Sequence, residues 1–276
     1  MNNLIRMDFY RMRKNKTTWL ILIFLILMMF ASVYMSYSDI EYYKNNPSAL
    51  ENLKSSSEEV NWGIYIGSVS PKWCEDNKVP VDGLIKINIQ SKIVLMFLVV
   101  FIVGFVSKEN TSGFIKNIAG QVSNRGFILL SKMIIVGIYS LILLAVATVT
   151  IFVSSKILFG YVFVENLRLL IKYILYQWIL HVAFGSFMIF SITLLKNEIA
   201  SLLIGILVSA GILQIVDAFI KSNKKSIMYF LNSGNIGRLS MKGMELGDYI
   251  PLFIAIVSTT IYTAISMYIA NNRDIQ

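Results

Sequence analysis

The sequence predicts an all-α integral membrane protein with six transmembrane helices. Hydrophobic residues make up 56% of the 276 residues and charged residues 15%, whereas soluble domains average roughly 45–50% apolar and about 25% charged residues. The apolar residues collect into six blocks, each close to the roughly 20 residues with which a helix crosses about 30 Å of hydrocarbon. A soluble protein with a single core is therefore excluded.

The chain is basic, with 25 lysines and arginines against 16 acidic residues and a net charge of +9. In a membrane protein such an excess flanks the spans and faces anionic lipid headgroups. We therefore expect membrane lipids as partners and no nucleic acid. Cys74 is the single cysteine and His181 the single histidine, so neither an intrachain disulfide nor a Cys/His metal site is expected.

Residues 1–18 are predicted to form an amphipathic helix that lies in the headgroup plane. At 100° per residue the apolar side chains share one face and the basic ones lie roughly opposite. The apolar face comprises Ile5, Phe9 and Met12, and the basic face comprises Arg6, Arg13 and Lys14. A disordered basic tail and the n-region of a signal peptide are the alternatives. The apolar run over residues 19–37 is longer than a signal h-region, which argues against cleavage.

The six spans follow from the apolar blocks. They are residues 19–37, 88–107, 131–154, 171–195, 198–219 and 249–270. The second is the least regular, because its unbroken apolar stretch begins only after Lys92, whose ammonium is expected to snorkel to the interface. Lys196 and Asn197 alone separate the fourth and fifth spans, which predicts an antiparallel hairpin.

An even number of spans places both termini on the same side of the membrane. Five basic residues crowd the 16 positions before the first span, so both termini are expected in the cytoplasm. Residues 38–87 then form an extracellular loop or cap that is too short for an independent catalytic domain. A second extracellular loop, residues 220–248, is expected to be irregular, and its Lys224, Lys225 and Arg238 argue against this orientation.

The spans contain few groups that could carry chemistry. His181 lies near the middle of the fourth span, with Gln177 one turn before it. A hydrogen-bonded packing role is favoured for His181, and a substrate contact or a proton-transfer role is the alternative. HExxH, GxSxG and GxxxxGK[ST] are absent from the sequence, so we expect no enzymatic activity and no nucleotide or other cofactor in this chain.

Residues 108–130, between the second and third spans, form the most informative segment. Glycines divide it into short pieces, and polar residues flank the apolar pair Phe114 and Ile115. An exposed apolar pair on a cytoplasmic loop is costly unless a partner covers it. The residues alone leave two interpretations open, a docking element or an ordinary solvated loop that obeys the positive-inside rule.

The pattern Glu109-x3-Gly113-x2-Lys116, followed by Arg125 and by Lys132 at the start of the third span, resembles the membrane subunit of ABC exporters of the ABC-2 type. In that family such a loop forms a cytoplasmic coupling helix in a groove on the ATP-binding subunit, and the N-terminal amphipathic piece forms an elbow helix. The resemblance implies that the segment couples the chain to an ATPase. The implied coupling residues are Glu109, Gly113, Phe114, Ile115, Lys116 and Arg125.

The resemblance also implies a function, that of a permease subunit in a bacterial plasma membrane. It would pair with a second permease subunit, identical or related, and with cytoplasmic ABC ATPase subunits that bind ATP and Mg²⁺. Small permeases of this shape look like those that export bacteriocins, lantibiotics or other amphipathic molecules, or confer resistance to them. The alternatives are a non-transport immunity or sensor protein and a proton-coupled carrier that uses His181.

Overall fold

The computed structural model describes residues 1–55, 64–76, 78–111, 124–213 and 227–272. All regular secondary structure in these ranges is helical, as the sequence predicts. The helices are α1 (Asn2–Lys14), α2 (Lys16–Asn45), α3 (Pro47–Ser55), α4 (Pro71–Glu75), α5 (Val81–Gln90), α6 (Ile93–Thr111), α7 (Gly126–Phe159), α8 (Leu167–Leu195), α9 (Glu198–Ser209), α10 (Asn232–Arg238), α11 (Met241–Glu245) and α12 (Ile250–Asn272), with a 3₁₀ turn at Ile227–Phe230.

Four helices, α2, α7, α8 and α12, are long and apolar enough to cross a membrane, and the bent pair α5 and α6 makes a fifth candidate. The four correspond to the predicted first, third, fourth and sixth spans. Both α2 and α7 extend beyond the predicted ends, because a helix that leaves the hydrocarbon keeps its internal backbone hydrogen bonds. Four or five such helices are typical of a multi-pass membrane protein.

The predicted second span, residues 88–107, is not one straight helix. α5 ends at Gln90, α6 begins at Ile93, and the two helices meet at an angle of 48°. Between them Lys92 has a φ of 63°, in the left-handed region that residues with side chains rarely adopt. Lys92 is fully buried. The prediction that its ammonium snorkels to the interface is therefore wrong.

A tight corner follows α8. Lys196 has a φ of 52°, and the side chain of Asn197 caps α9 by accepting a hydrogen bond from the amide of Ala200 at 3.1 Å. α9 packs back against α8. With 12 residues, α9 is shorter than the span predicted over residues 198–219, and the chain from 214 to 226 lies outside the described residues.

The predicted outer loop over residues 220–248 differs from expectation where it is described. Its second half is helical, and α10 is buried almost throughout. The Nε2 of Gln90 donates to the carbonyl of Leu239 at 3.0 Å, and the Nδ2 of Asn232 donates to the Oγ of Ser258 at 2.9 Å. These bonds join α10 to α5 and α12, so this segment packs among the long helices and is not an irregular loop.

The N-terminal helix ends at Asn15, whose side chain caps the start of α2. The buried residues of α1 are Asp8 and Met12, whereas Phe9 is 42% exposed. The face of α1 that contacts the rest of the protein therefore combines Met12, a member of the predicted apolar face, with the carboxylate of Asp8.

The described part of the connection over residues 38–87 covers one end of α7. The amide of Val79 donates to the hydroxyl of Tyr161 at 2.9 Å. The amide of Val81 donates to the carbonyl of Phe163 at 2.8 Å. The connection is thus tied to the chain that directly follows α7.

Candidate functional site

The residues predicted to couple this chain to an ATPase are only partly described. Glu109 lies in α6, with its side chain outside the described part of the chain, and Arg125 directly precedes α7. Gly113, Phe114, Ile115 and Lys116 lie outside the described residues. The structure therefore describes the two ends of this segment but not its centre.

A group of charged residues connects those two ends to α1. The carboxylate of Asp8 is 1% exposed. Its Oδ2 accepts a hydrogen bond from the hydroxyl of Ser131 at 2.6 Å, and its Oδ1 accepts one from Nη1 of Arg11 at 3.1 Å. These two hydrogen bonds offset much of the free-energy cost of burying the carboxylate.

Two cations share an aromatic ring beside this carboxylate. The guanidinium of Arg11 lies 5.2 Å from the ring centroid of Phe105, and Nζ of Lys132 lies 6.0 Å from it. Lys132 is 1% exposed. We call Asp8, Arg11, Phe105, Ser131 and Lys132 the junction, because they join α1, the last third of α6 and the first turns of α7.

The start of α7 is also fixed to α12. The amide of Gly126 donates to Oδ1 of Asn124 at 2.8 Å and to Oδ1 of Asn271 at 3.0 Å. The described residues on either side of the segment from 112 to 123 therefore belong to a base of packed helices formed by α1, α6, α7 and α12. No sequence pattern predicts this arrangement, because Asp8 is a single acidic residue in a stretch of 16 residues with five basic ones.

The two predicted substrate-contact residues lie at the centre of the molecule. Gln177 and His181 are one turn apart on α8 and fully buried. The Nε2 of Gln177 donates to the hydroxyl of Tyr173 and to the carbonyl of Ile236, both at 3.0 Å. Its Oε1 has no hydrogen-bond partner among the described residues. Gln177 thus links α8 to α10 and keeps one acceptor unused.

His181 makes a local contact. Its Nδ1 lies 2.7 Å from the carbonyl oxygen of Gln177, and because a carbonyl only accepts, Nδ1 carries the proton. The Nε2 has no hydrogen-bond partner in the described part of the chain. The packing role and the substrate-contact role of His181 both stay predictions.

Further buried polar atoms lack hydrogen-bond partners within the ranges that the structure describes. Among them are Oδ1 of Asn88, Nζ of Lys92 and Oγ of Ser233. Polar groups buried in this way are uncommon, and each needs an explanation such as a bound ligand or water. The sequence could not single out Lys92, because a lysine at the edge of an apolar run normally reaches for the interface.

An apolar groove of about 520 Å³ opens between α7, α8 and α12. Residues lining it include Met133, Gly137, Trp178, Val182, Ile256 and Thr259. The indole Nε1 of Trp178 donates to the carbonyl of Gly137 at 2.8 Å, which satisfies its polar atom. The groove therefore presents a mainly hydrocarbon surface within the size range of ligand pockets.

Among the residues that the structure describes, no three potential metal-ligating side chains form a group that could hold a metal ion. No family model matches the sequence, and no curated protein matches it.

Proposed function

We propose that this chain is the permease subunit of an ATP-driven exporter in a bacterial plasma membrane, with a separate cytoplasmic ATPase subunit and a second permease subunit as partners. ATP and Mg²⁺ would bind to the ATPase. The observation that carries the proposal is that the junction contains residues from both sides of the segment from 112 to 123: Phe105 precedes the segment, and Ser131 and Lys132 follow it. The sequence pattern from Glu109 to Arg125 lies across that same segment.

A coupling element needs a rigid base, because a displacement imposed on a loose loop would be absorbed locally. The hydrogen bond that Ser131 donates to Asp8 ties α7 to α1, and the bond from Gly126 to Asn271 ties α7 to α12. A force applied to the segment would therefore reach several helices together. This supports a docking element over an ordinary solvated loop.

The distribution of acidic residues also favours an energy source in another chain. Within the described ranges the buried acidic side chains are Asp8, in the N-terminal helix, and Asp82, in the first turn of α5. Ion-coupled carriers use a titratable group near the middle of the membrane. His181 is the candidate for such a group, and in the described structure its one hydrogen-bonding contact is with its own helix.

The apolar groove supports a hydrophobic or amphipathic cargo, because its lining offers mainly dispersion contacts. A non-transport immunity or sensor protein remains the main alternative. Such a protein would bind its peptide at the outer cap and would need no ATPase. The proton-coupled carrier is the second alternative, and it depends on the open Nε2 of His181.

Purification in mild detergent tests the proposal. The tagged chain, expressed in its native host, should retain a cytoplasmic ATPase with Walker motifs, and the complex should hydrolyse ATP. Phe114→Asp should abolish this association, because it places a charge in an apolar contact at a cost of several kcal/mol when that contact is buried.

Phe163→Asp is the matched control, since Phe163 is 40% exposed near the cap and lies far along the chain from the segment. It should retain the ATPase. A wild-type chain that purifies without any ATPase would contradict the exporter proposal. Retention of the ATPase by Phe114→Asp would show that the segment is not the docking element.

A further inference from the structure

Lys92 is a basic side chain in the interior of the protein. Its side chain is fully buried, and Nζ has no hydrogen-bond partner among the described residues. Lys92 lies about half way along the bent pair α5 and α6. An ammonium group in such a position is strongly unfavourable unless an anion accompanies it.

Two contacts fix the depth of this position relative to α8. The hydroxyl of Tyr173 lies 3.5 Å from the carbonyl oxygen of Lys86, and a Cβ at Gly185 would lie 3.5 Å from Cδ1 of Ile102. Residue numbers increase in the same direction on both runs. The α5–α6 pair and α8 therefore run parallel, and residues between these contacts lie at similar depths.

Lys92 falls between Lys86 and Ile102, just as Gln177 falls between Tyr173 and Gly185. The break between α5 and α6 is therefore level with Gln177, whose Oε1 is an unused acceptor. At one depth, therefore, lie a cation and an amide oxygen that have no hydrogen-bond partner among the described residues.

The first turn of α6 adds further donors. The amide of Met96 donates to the carbonyl of Lys92 at 2.9 Å, so the amides of Ile93, Val94 and Leu95 precede the first bond of this helix. These three residues are at most 2% exposed. The N-terminus of a helix carries a partial positive charge and is suited to bind anions.

We propose that the α5–α6 break is a binding site for the oxyanion of a membrane amphiphile, a carboxylate or a phosphate held by Lys92 and the first amides of α6. The Oε1 of Gln177 would accept from an N–H group beside that oxyanion. An acylated amino acid or a peptide C-terminus offers this combination. That the amphiphile is the exported cargo rests on the proposed function.

Thermal unfolding of the purified chain in phosphatidylcholine nanodiscs tests the site. N-decanoylglycine should raise the unfolding midpoint by several degrees, as expected when a ligand binds only the folded state. N-decanoylglycinamide, which lacks the carboxylate, should not. Lys92→Met should remove the response, and Lys156→Met should keep it, because Lys156 is exposed and bonds to Gly160 at the end of α7.

A second arm distinguishes the sources of the oxyanion. If phosphatidylglycerol alone raises the midpoint of the wild type but not of Lys92→Met, and N-decanoylglycine then adds nothing, the site is supported and its occupant is a lipid phosphate. Equal responses of wild type and Lys92→Met to every anion would overturn the proposal.

The stability of Lys92→Met without ligand gives an independent check. Replacing an unpaired buried ammonium by an apolar side chain of similar shape should raise the midpoint. A lower midpoint would mean that an acidic group of the protein already pairs with Lys92, and the site would be refuted. Should Lys92→Met fail to fold, Lys92→Gln serves as the uncharged variant. These measurements use this chain alone, so a failed ATPase purification leaves them unaffected.

Discussion

Replacing Asp8 by Asn tests whether the junction holds α1 against α7. The substitution keeps the shape of the side chain but removes the carboxylate that pairs with Arg11 at 3.1 Å and accepts the hydrogen bond of Ser131. Breaking a buried ion pair from one side costs about 3–5 kcal/mol. The side chain of Arg11 is 27% exposed, so the pair is only partly shielded from water, which places the expected cost near the lower value.

The assay is thermal unfolding of the purified chain in nanodiscs. A change of about 1 kcal/mol shifts the midpoint by about 2–4 °C in proteins of roughly this size, so Asp8→Asn should lower it by about 6–12 °C. Asp39→Asn is the matched control, because Asp39 is an exposed aspartate on α2. It should leave the midpoint almost unchanged.

A double variant isolates the hydrogen bond between Ser131 and Asp8 from a general loss of packing. Adding Ser131→Ala to Asp8→Asn removes both partners of the bond of 2.6 Å, so it should cost less stability than the sum of the two single losses. If Asp8→Asn unfolds at the wild-type temperature, the junction contributes nothing to stability. If the double variant loses the full sum of the two single losses, Asp8 and Ser131 act independently, and the account of the junction fails.

Two other predictions follow from buried side chains. Burial raises the pKa of the Cys74 thiol, so a membrane-impermeant maleimide should react slowly with intact cells at neutral pH and faster as the pH rises. Asp76→Cys in a Cys74→Ser background should react readily, because Asp76 is exposed. Labelling of that variant only after permeabilisation would reverse the proposed orientation. His181→Leu should leave transport largely intact, since one hydrogen bond within a span is worth about 1 kcal/mol. Loss of transport at unchanged stability would favour the proton-coupled alternative.

The long apolar helices were predictable because composition decides them. A long run of apolar residues, as in α7 and α8, can satisfy its backbone hydrogen bonds inside a membrane by forming a helix. The existence and approximate ends of these helices therefore follow from the sequence. The break at Lys92 was not predictable in the same way. A lysine beside an apolar run is either drawn to the interface or buried, and the choice depends on tertiary partners that are remote in sequence.

The buried side chains of α1 are a second feature that the local sequence pattern could not predict. Its periodicity predicted an apolar face with Ile5, Phe9 and Met12, but the buried side chains are Asp8 and Met12. A local pattern cannot reveal that Ser131, more than 100 residues away in sequence, supplies a donor to Asp8. Long-range polar pairs override helical amphipathicity when each polar atom finds its partner.

Helix α6 connects the proposed oxyanion site to the junction. Lys92 directly precedes α6, and Phe105 of the junction lies on its last third. The distance along the axis from Ile93 to Phe105 is about 18 Å at 1.5 Å per residue. An α-helix of this length transmits a displacement as a stiff body, and the bend of 48° lies at its start. A movement imposed at the junction would therefore shift the first amides of α6 relative to Gln177, and that change in geometry is what a site that alternately binds and releases an oxyanion requires.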